Sequence, residues 1–215
     1  MAITTFRPSD LIALFKSWRS LFAEQRAFLI ALDGKVGDSD LGITMNRAFA
    51  AASEALDAEG EEAGLAKLLR TAGVIMARAA PSTMGTLTAT GFLRASKAVD
   101  GKDELATPDL AAFWRAYRDG VAERGKAKLG DKTLLDVLEP IAVTLEVQAS
   151  IGASLVDALT ATAYAAEQAL ESTKAMVAQH GKAAAFQEKT VGLQDAGATV
   201  GYLLIRRMSD FVSSR

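Results

Sequence analysis

Three aspartates, Asp33, Asp38 and Asp40, fall within eight residues of one another in the segment DGKVGDSDLG, interrupted by Gly34 and Gly37. Like charges this close repel unless something cationic sits between them. A donor set of oxygens alone, with no His or Cys, suits Mg2+, Mn2+ or Ca2+ and not zinc. Mg2+ commonly binds one or two carboxylates and completes its shell with water and phosphate oxygens. Gly42 then opens a helix, whose free N–H groups and positive dipole end favour an anion. Metal and phosphate would therefore meet at one point. The same residues also suit a solvated Asp/Gly turn that ends one helix and caps the next, and spacing alone leaves both readings open. An EF-hand does not fit: counted from Asp38, the fifth position is Gly42 and the twelfth is Phe49, where a bidentate Glu is required.

Other chemistry-bearing patterns are weaker. Gly120 to Lys126 has P-loop spacing, but Ala127 replaces the magnesium-binding hydroxyl, and the segment ends an expected helix instead of joining strand to helix. No G-x-G-x-x-G is present. His180 is the sole histidine; beside Gly181 it reads as an exposed helix-end residue before it reads as a phosphohistidine relay. Lys126, Lys128 and Lys132 suit phosphate contacts or a solvated loop face, the second for two of the three. Trp18 and Trp114 fall on apolar helical faces and read as core or interface.

The elements that must position these groups are helical. Half of the 215 residues are hydrophobic, with Ala prominent, and only 7% are aromatic. Ala-rich cores favour closely packed helices, and strand-type runs are scarce. Helical periodicity begins at Pro8-Ser9-Asp10, places Leu11, Leu14, Phe15, Trp18, Leu21 and Phe22 on one face, and runs to about Leu32. Further helices are expected from about Gly42, over 61–79, from the PSTMG loop to about Val99, and from Thr107-Pro108 to Arg124-Gly125. The last three cover about 132–149, from Gly152 to about Gln179 with Ala161, Ala165, Ala166 and Ala169 as close-packing residues, and a final stretch ending near Val212. Eight helices with short connections make an all-α fold, an antiparallel bundle or closed barrel, with residues 1–215 as one domain.

Net charge is -2 and no basic stripe stands out, so no nucleic-acid footprint is indicated. There is no Cys, which removes disulfides and thiolate chemistry. The N-terminus MAITTFRPSD lacks the pattern of a signal peptide, and no 18-residue apolar run is free of charge. The expectation is a soluble, cytoplasmic protein with no membrane partner.

Three separated segments carry a family likeness. LDGKVGDSDLGITMNRAF (Leu32 to Phe49), RGKAKLGDKTLLDVLEP (Arg124 to Pro140) and VGLQDAGAT (Val191 to Thr199) resemble, in the same order, the nucleotide-binding subunit of bacterial dihydroxyacetone kinase, the DhaL family. The likeness covers nearly the whole chain. It implies an eight-helix barrel holding ADP or ATP through two Mg2+ ions at one end, with Asp33, Asp38 and Asp40 as the metal ligands. It further implies phosphate contacts from Leu41, Gly42, Ile43 and Thr44 and from Thr83 and Met84. Gly125 and Leu134 would border the nucleotide, Lys182 would lie over the phosphates, and Gln194, Asp195 and Ala196 would form a closing segment. The ketose is expected to be held covalently by a His on a separate sugar-binding, DhaK-like subunit. No catalytic residue is therefore assigned to this chain, which would act only with that partner. Either ATP exchanges, or bound ADP is recharged by a phosphotransferase-system protein. Alternative readings are a regulatory nucleotide-binding module contacting a transcription factor, a subunit serving another small ketose such as erythrulose, and a metal-dependent hydrolase acting alone.

The chain departs from the family pattern at several places. Leu41 stands where a His is usual, Leu193 and Ala196 replace a common His and Pro, and Met84 replaces a small Ser-like residue. Lys182 stands for an Arg, which loses a planar bidentate donor but keeps the charge. The carboxylates remain, so the departures bear on which ketose is used and how the nucleotide is recharged.

Overall fold

Each helix packs against its neighbour in the chain, and the last, α9 (Ala196–Ser213), returns against the first, α1 (Pro8–Glu24), closing a ring. The order around it is α1, α3 (Leu41–Glu59), α4 (Leu65–Ala79), α5 (Thr83–Ala98), α6 (Thr107–Gly125), α7 (Leu135–Ser150), α8 (Leu155–Ser172) and α9. A short helix α2 (Arg26–Asp33) continues from α1 and packs on α3. This computed structural model describes residues 4–215, so the first residues of the N-terminal segment read above lie outside it. Among the described residues the only strand-like feature is an isolated antiparallel bridge between Phe6 and Leu105.

The inward faces are those the periodicity marks. Leu11, Leu14, Phe15, Trp18, Leu21 and Phe22 of α1 are all buried, and Trp18 and Trp114 are each 1% exposed. Aromatic rings from four helices fill the axis: Phe15 lies 5.1 Å from Trp18 and 5.2 Å from Phe92, Phe22 stacks on Phe49 at 4.5 Å, and Phe92 meets Tyr117 edge-on at 5.2 Å. Edge-to-face and offset contacts of this kind add to simple area burial. The ring is sealed where the Trp18 indole N–H donates to the Leu204 carbonyl across α1 and α9, at 3.1 Å in a buried setting. Two helices start alike: α1 has Pro at its first turn and Asp10 accepting from the Arg7 N–H, while α6 has Pro108 and Asp109 accepting from the Ala106 N–H, both at 3.0 Å.

The expected eight-helix layout holds, with four corrections of boundary. The first expected helix is interrupted at Gln25 (φ -83°, ψ 0°), which separates α1 from α2 and makes nine α-helices among the described residues. Residues 61–63 form a separate 3-10 turn ahead of α4. The sixth expected helix begins at Leu135 and not near 132, because Lys132 is left-handed (φ 61°). The seventh ends at Ser172, not Gln179, and the chain continues through a 3-10 turn at Thr173–Ala175. Among the described residues no helix is long and apolar enough to cross a membrane.

Candidate functional site: an acidic pocket at a mouth of helix N-termini

In a ring of alternating helices every second element starts at the same pole. Here that pole holds the first turns of α3, α5, α7 and α9, together with the end of α2, where Asp33 sits. Four helix starts and their positive dipole ends therefore face one mouth, an environment suited to a polyanion.

Asp33, Asp38 and Asp40 come together there, each offering a carboxylate oxygen within 4.8 Å of the other two. The trio is organised by the backbone. Asp33 Oδ2 accepts from the N–H groups of Asp40 (3.0 Å) and Leu41 (3.4 Å), so the carboxylate ending α2 holds the start of α3. Ser39, at φ 63°, makes the reversal between Asp38 and Asp40. Gly37 is needed because a Cβ there would lie 2.2 Å from Asp33 Oδ1. Gly42 is needed because a Cβ would lie 2.2 Å from the Arg26 carbonyl oxygen, where α3 crosses α2.

The pocket's electrostatics match its donor set. Burial raises the Asp40 pKa above the ordinary carboxylate value, the neighbouring charges of Asp38 and Asp33 raise it further, and Lys182 opposes them. Lys182 Nζ, from the α8–α9 connection, bonds to Asp38 Oδ2, and that bond raises the lysine pKa. An ammonium thus lies where the three carboxylates call for positive charge. The residues present fit a hard divalent cation: oxygens only, clustered, part-exposed and beside N–H groups that suit phosphate.

The other expected site residues are distributed around the same mouth. Leu41, Gly42, Ile43 and Thr44 form the first turn of α3, but Leu41 is buried at 3% exposure and its side chain belongs to the core. Ile43 is exposed. Thr83 and Met84 begin α5 behind the cap Ser82, whose hydroxyl accepts from the Gly85 N–H at 3.2 Å. Met84, Leu134 and Asp195 converge: a Cβ on Gly197 would lie 3.2 Å from Asp195 Oδ2, 3.4 Å from the Leu134 N and 3.5 Å from Met84 Sδ. Gly125 ends α6 with Leu87 of α5 beside it. The Gln194 amide donates to Thr199 at 2.8 Å, and Ala196 opens α9. Asp195 caps that helix, accepting from the Ala198 N–H at 2.6 Å. Crowding by neighbouring atoms, set against the Ala198 bond and the Lys132 charge, leaves its pKa at about 6.

Lys132 requires a correction. It is neither a phosphate contact nor part of a solvated face: it is 3% exposed, and its ammonium donates to four backbone carbonyls of the α8–α9 connection. Lys126 and Lys128 are exposed. His180 is part-buried, its Nε2 2.9 Å from Asp131 Oδ2, an arrangement that ties the α8–α9 connection to the α6–α7 loop. Two residues that shape that loop, Asp131 within it and Asp136 in the first turn of α7, were not singled out from sequence. Asp136 accepts from the N–H groups of Gly130 (2.6 Å) and Thr133 (2.7 Å), and Asp131 accepts from the Lys128 N–H (2.7 Å). The signal was the dense GDKTLLD string, whose polar residues serve the loop's own shape.

Such a barrel, an all-α ring with carboxylates and helix starts gathered at one pole, has a site of the chemistry that suits a divalent cation and a phosphate. The chain belongs to the DAK2 domain family, whose model matches residues 35–210. It is 35% identical over 179 residues to the "PEP-dependent dihydroxyacetone kinase, ADP-binding subunit DhaL" of Escherichia coli, covering 83% of this chain and 85% of that one. It is 34% identical over 187 residues to the L-erythrulose kinase of Pectobacterium atrosepticum, covering 85% of this chain but 31% of the longer relative. The fold matches the crystal structure of the C. freundii dihydroxyacetone kinase in complex with AMP-PNP and Mg2+ with a TM-score of 0.73 and 22% identity, over 98% of this chain and 36% of that one.

Proposed function

We propose that residues 1–215 act as one nucleotide-binding domain, the subunit of a dihydroxyacetone-type kinase that presents ADP or ATP to a sugar held on a separate protein. The observation that carries this reading is the set of three carboxylates within 4.8 Å of one another at a mouth built from four helix starts. Likeness in sequence to an ADP-binding subunit supports it.

Asp33, Asp38 and Asp40 would hold two Mg2+ ions, which supply neutralisation of the phosphate oxygens between which the phosphoryl group moves. The chain's own residues do the positioning. The first turns of α3 (Leu41 to Thr44) and α5 (Thr83 and Met84) face the phosphates; in α3 the N–H groups on offer are those of Gly42 and Ile43, since Leu41 donates to Asp33 and Thr44 to the Asp40 carbonyl at 2.9 Å. Lys182 adds a charge that shifts from carboxylate to phosphate when cations take its place at Asp38. Gly125, Leu134 and the Gln194-Asp195-Ala196 segment border the nucleotide. Reaction then depends on access from outside: the chain has no Cys, its one His is bonded to Asp131, and the amine at the mouth, Lys182, is paired with Asp38, which favours its protonated, non-nucleophilic form. A sugar-binding subunit supplies that group, and a phosphotransferase-system protein is the proposed phosphodonor when ADP is retained. A cytoplasmic location follows from these partners. Erythrulose is the alternative ketose, on the likeness to erythrulose kinases.

Thermal denaturation with ADP, with and without Mg2+, tests the reading. A stabilisation that chelator abolishes and that Asp38→Ala or Asp40→Ala removes supports it; an equal shift without metal refutes the site. Phosphate release from ATP with no partner present would instead identify a hydrolase. Nucleotide binding without phosphotransfer to any partner would identify a regulator.

A further inference from the structure

We propose that Lys132 is a positioning residue: it clasps the neck of the α8–α9 loop and thereby holds Lys182 and the Gln194-Asp195 segment over the nucleotide. The inference rests on the nucleotide-binding reading above.

The Lys132 ammonium has three N–H donors and meets four carbonyl oxygens. Two, Thr173 (2.9 Å) and Met176 (3.2 Å), lie on the chain leaving α8; two, Thr190 (2.6 Å) and Leu193 (2.7 Å), lie on the chain returning to α9. One charged group therefore joins both strands of the neck to the α6–α7 loop. Among the described residues no carboxylate forms an ion pair with it. Burial lowers its pKa, and the nearby charge of Asp195 opposes that shift. Taking an ammonium out of water is unfavourable unless polar groups replace its hydration, and the four carbonyls do so. Those carbonyls are the converse problem: without a donor they would be desolvated and unpaired. A residue that merely filled space here would be apolar.

The backbone is shaped to deliver this side chain. Lys132 sits at φ 61°, a region uncommon for residues other than glycine, and the Asp136 carboxylate grips the N–H groups of Gly130 and Thr133 on either side of it. Among the described residues no other side chain bonds to both the outgoing and the returning chain of the neck through as many backbone carbonyls. Residues 182–190 are 3-10 turns broken at Gln187, and the further ties are all single bonds: the Gly192 N–H to the Lys174 carbonyl (2.7 Å), the Ala178 N–H to the Thr190 hydroxyl (3.0 Å), the Asp195 N–H to the Thr173 hydroxyl (3.1 Å), and, onto the α6–α7 loop, the Gln179 N–H to the Asp131 carbonyl (3.0 Å) and His180 to the Asp131 carboxylate. At its tip Lys182 reaches Asp38, and its returning strand leads directly into Asp195. Fixing the neck fixes both.

The experiment uses Lys132→Met, which keeps the stem and removes the donors, and Lys132→Ala, which leaves the carbonyl cage open. Release of a fluorescent N-methylanthraniloyl ADP in Mg2+ is followed by stopped flow, and backbone hydrogen exchange is followed by mass spectrometry on the same proteins. The proposal expects release faster by about tenfold or more in both variants. It expects loss of exchange protection concentrated in residues 174–193, with the aromatic core still protected. Propylammonium, which replaces the deleted atoms, should restore slow release in Lys132→Ala and not in Lys132→Met. Unchanged release despite a loosened loop would make Lys132 structural only and overturn the proposal, as would unchanged protection or no rescue. If the parent protein fails to bind the nucleotide in Mg2+, the nucleotide reading falls, while the exchange data still decide whether Lys132 clasps the loop.

Discussion

Replacing Gly37 with Ala adds one methyl group, changes no charge and tests whether the acidic trio works as a metal site. Gly37 does not occupy the left-handed region, so its φ is one that Ala adopts. Its Cβ, however, would lie 2.2 Å from Asp33 Oδ1, 2.7 Å from the Asp33 carbonyl oxygen and 2.9 Å from Asp33 Cγ, so the turn must shift and the carboxylate must retreat by about 1 Å or more to reach ordinary contact. Magnesium holds its ligands at about 2.0–2.1 Å with little tolerance, so a displacement of that size removes Asp33 from the shell. Disturbing even the supports of a metal ligand costs about 10–100-fold in affinity, and losing the ligand costs at least as much. With ADP present at 100 times its dissociation constant, the parent gains about 2.7 kcal/mol, whereas a 100-fold weaker variant gains only about 0.4 kcal/mol. For a chain of this size, about 2–4 °C per kcal/mol turns these gains into midpoint shifts of about 5–11 °C and about 1–2 °C. Differential scanning fluorimetry with ADP and Mg2+, repeated in chelator, reads both. A Gly37→Ala protein that keeps the parent's full magnesium-dependent shift would refute the assignment of Asp33 as a ligand and the geometry built on it.

Three further outcomes follow from contacts already described. Gly42→Ala drives a methyl into the Arg26 carbonyl and should destabilise the fold by about 1–3 kcal/mol in urea denaturation. Trp18→Phe removes the buried bond to Leu204 and should cost about 1–2 kcal/mol by the same measurement. Asp195 has a folded pKa of about 6 against 3.8 for the free side chain, so the folded state binds the extra proton between those values and loses stability as pH rises through them. Asp195→Asn keeps a capping side chain but cannot ionise; its stability relative to the parent should rise by up to about 3 kcal/mol from pH 4 to pH 7. A difference that stays flat with pH would show that Asp195 titrates normally.

What the sequence disclosed was local or repetitive. The Asp33–Asp40 spacing, the Thr107-Pro108 start of α6 and the inward face of α1 each depend on residues a few positions apart, and each is in place. The break at Gln25 was invisible because Leu29 and Leu32 continue the same apolar period through it. The end of α8 was overestimated because propensity favours helix through Ala175 and Ala178, whereas a tertiary bond decides it: the Thr173 hydroxyl donates to the Leu170 carbonyl at 2.6 Å and accepts from the Asp195 N–H at 3.1 Å. Lys132 was misread for a similar reason. Its four carbonyl partners come from 41 to 61 residues later in the chain, and a backbone oxygen carries no residue signature. Leu41, the position at which the family pattern has a His, turns inward, so that departure adds core and subtracts a polar group from the mouth.

The first and last described segments of the chain lie at the pole away from the acidic cluster. Phe6 pairs with Leu105 and packs 6.0 Å from Phe211, and Arg215 bonds to Asp10 at 3.1 Å. Helix α9, 18 residues long, therefore separates the last residue from the mouth by about 27 Å. A polypeptide fused to Arg215 must cross that span before it can deliver a group to the phosphates, which takes about eight fully extended residues at the least. Tether length thus sets a design limit: a short fusion leaves the mouth open to a freely diffusing protein, while a long one lets a covalently attached lobe compete for it at high local concentration.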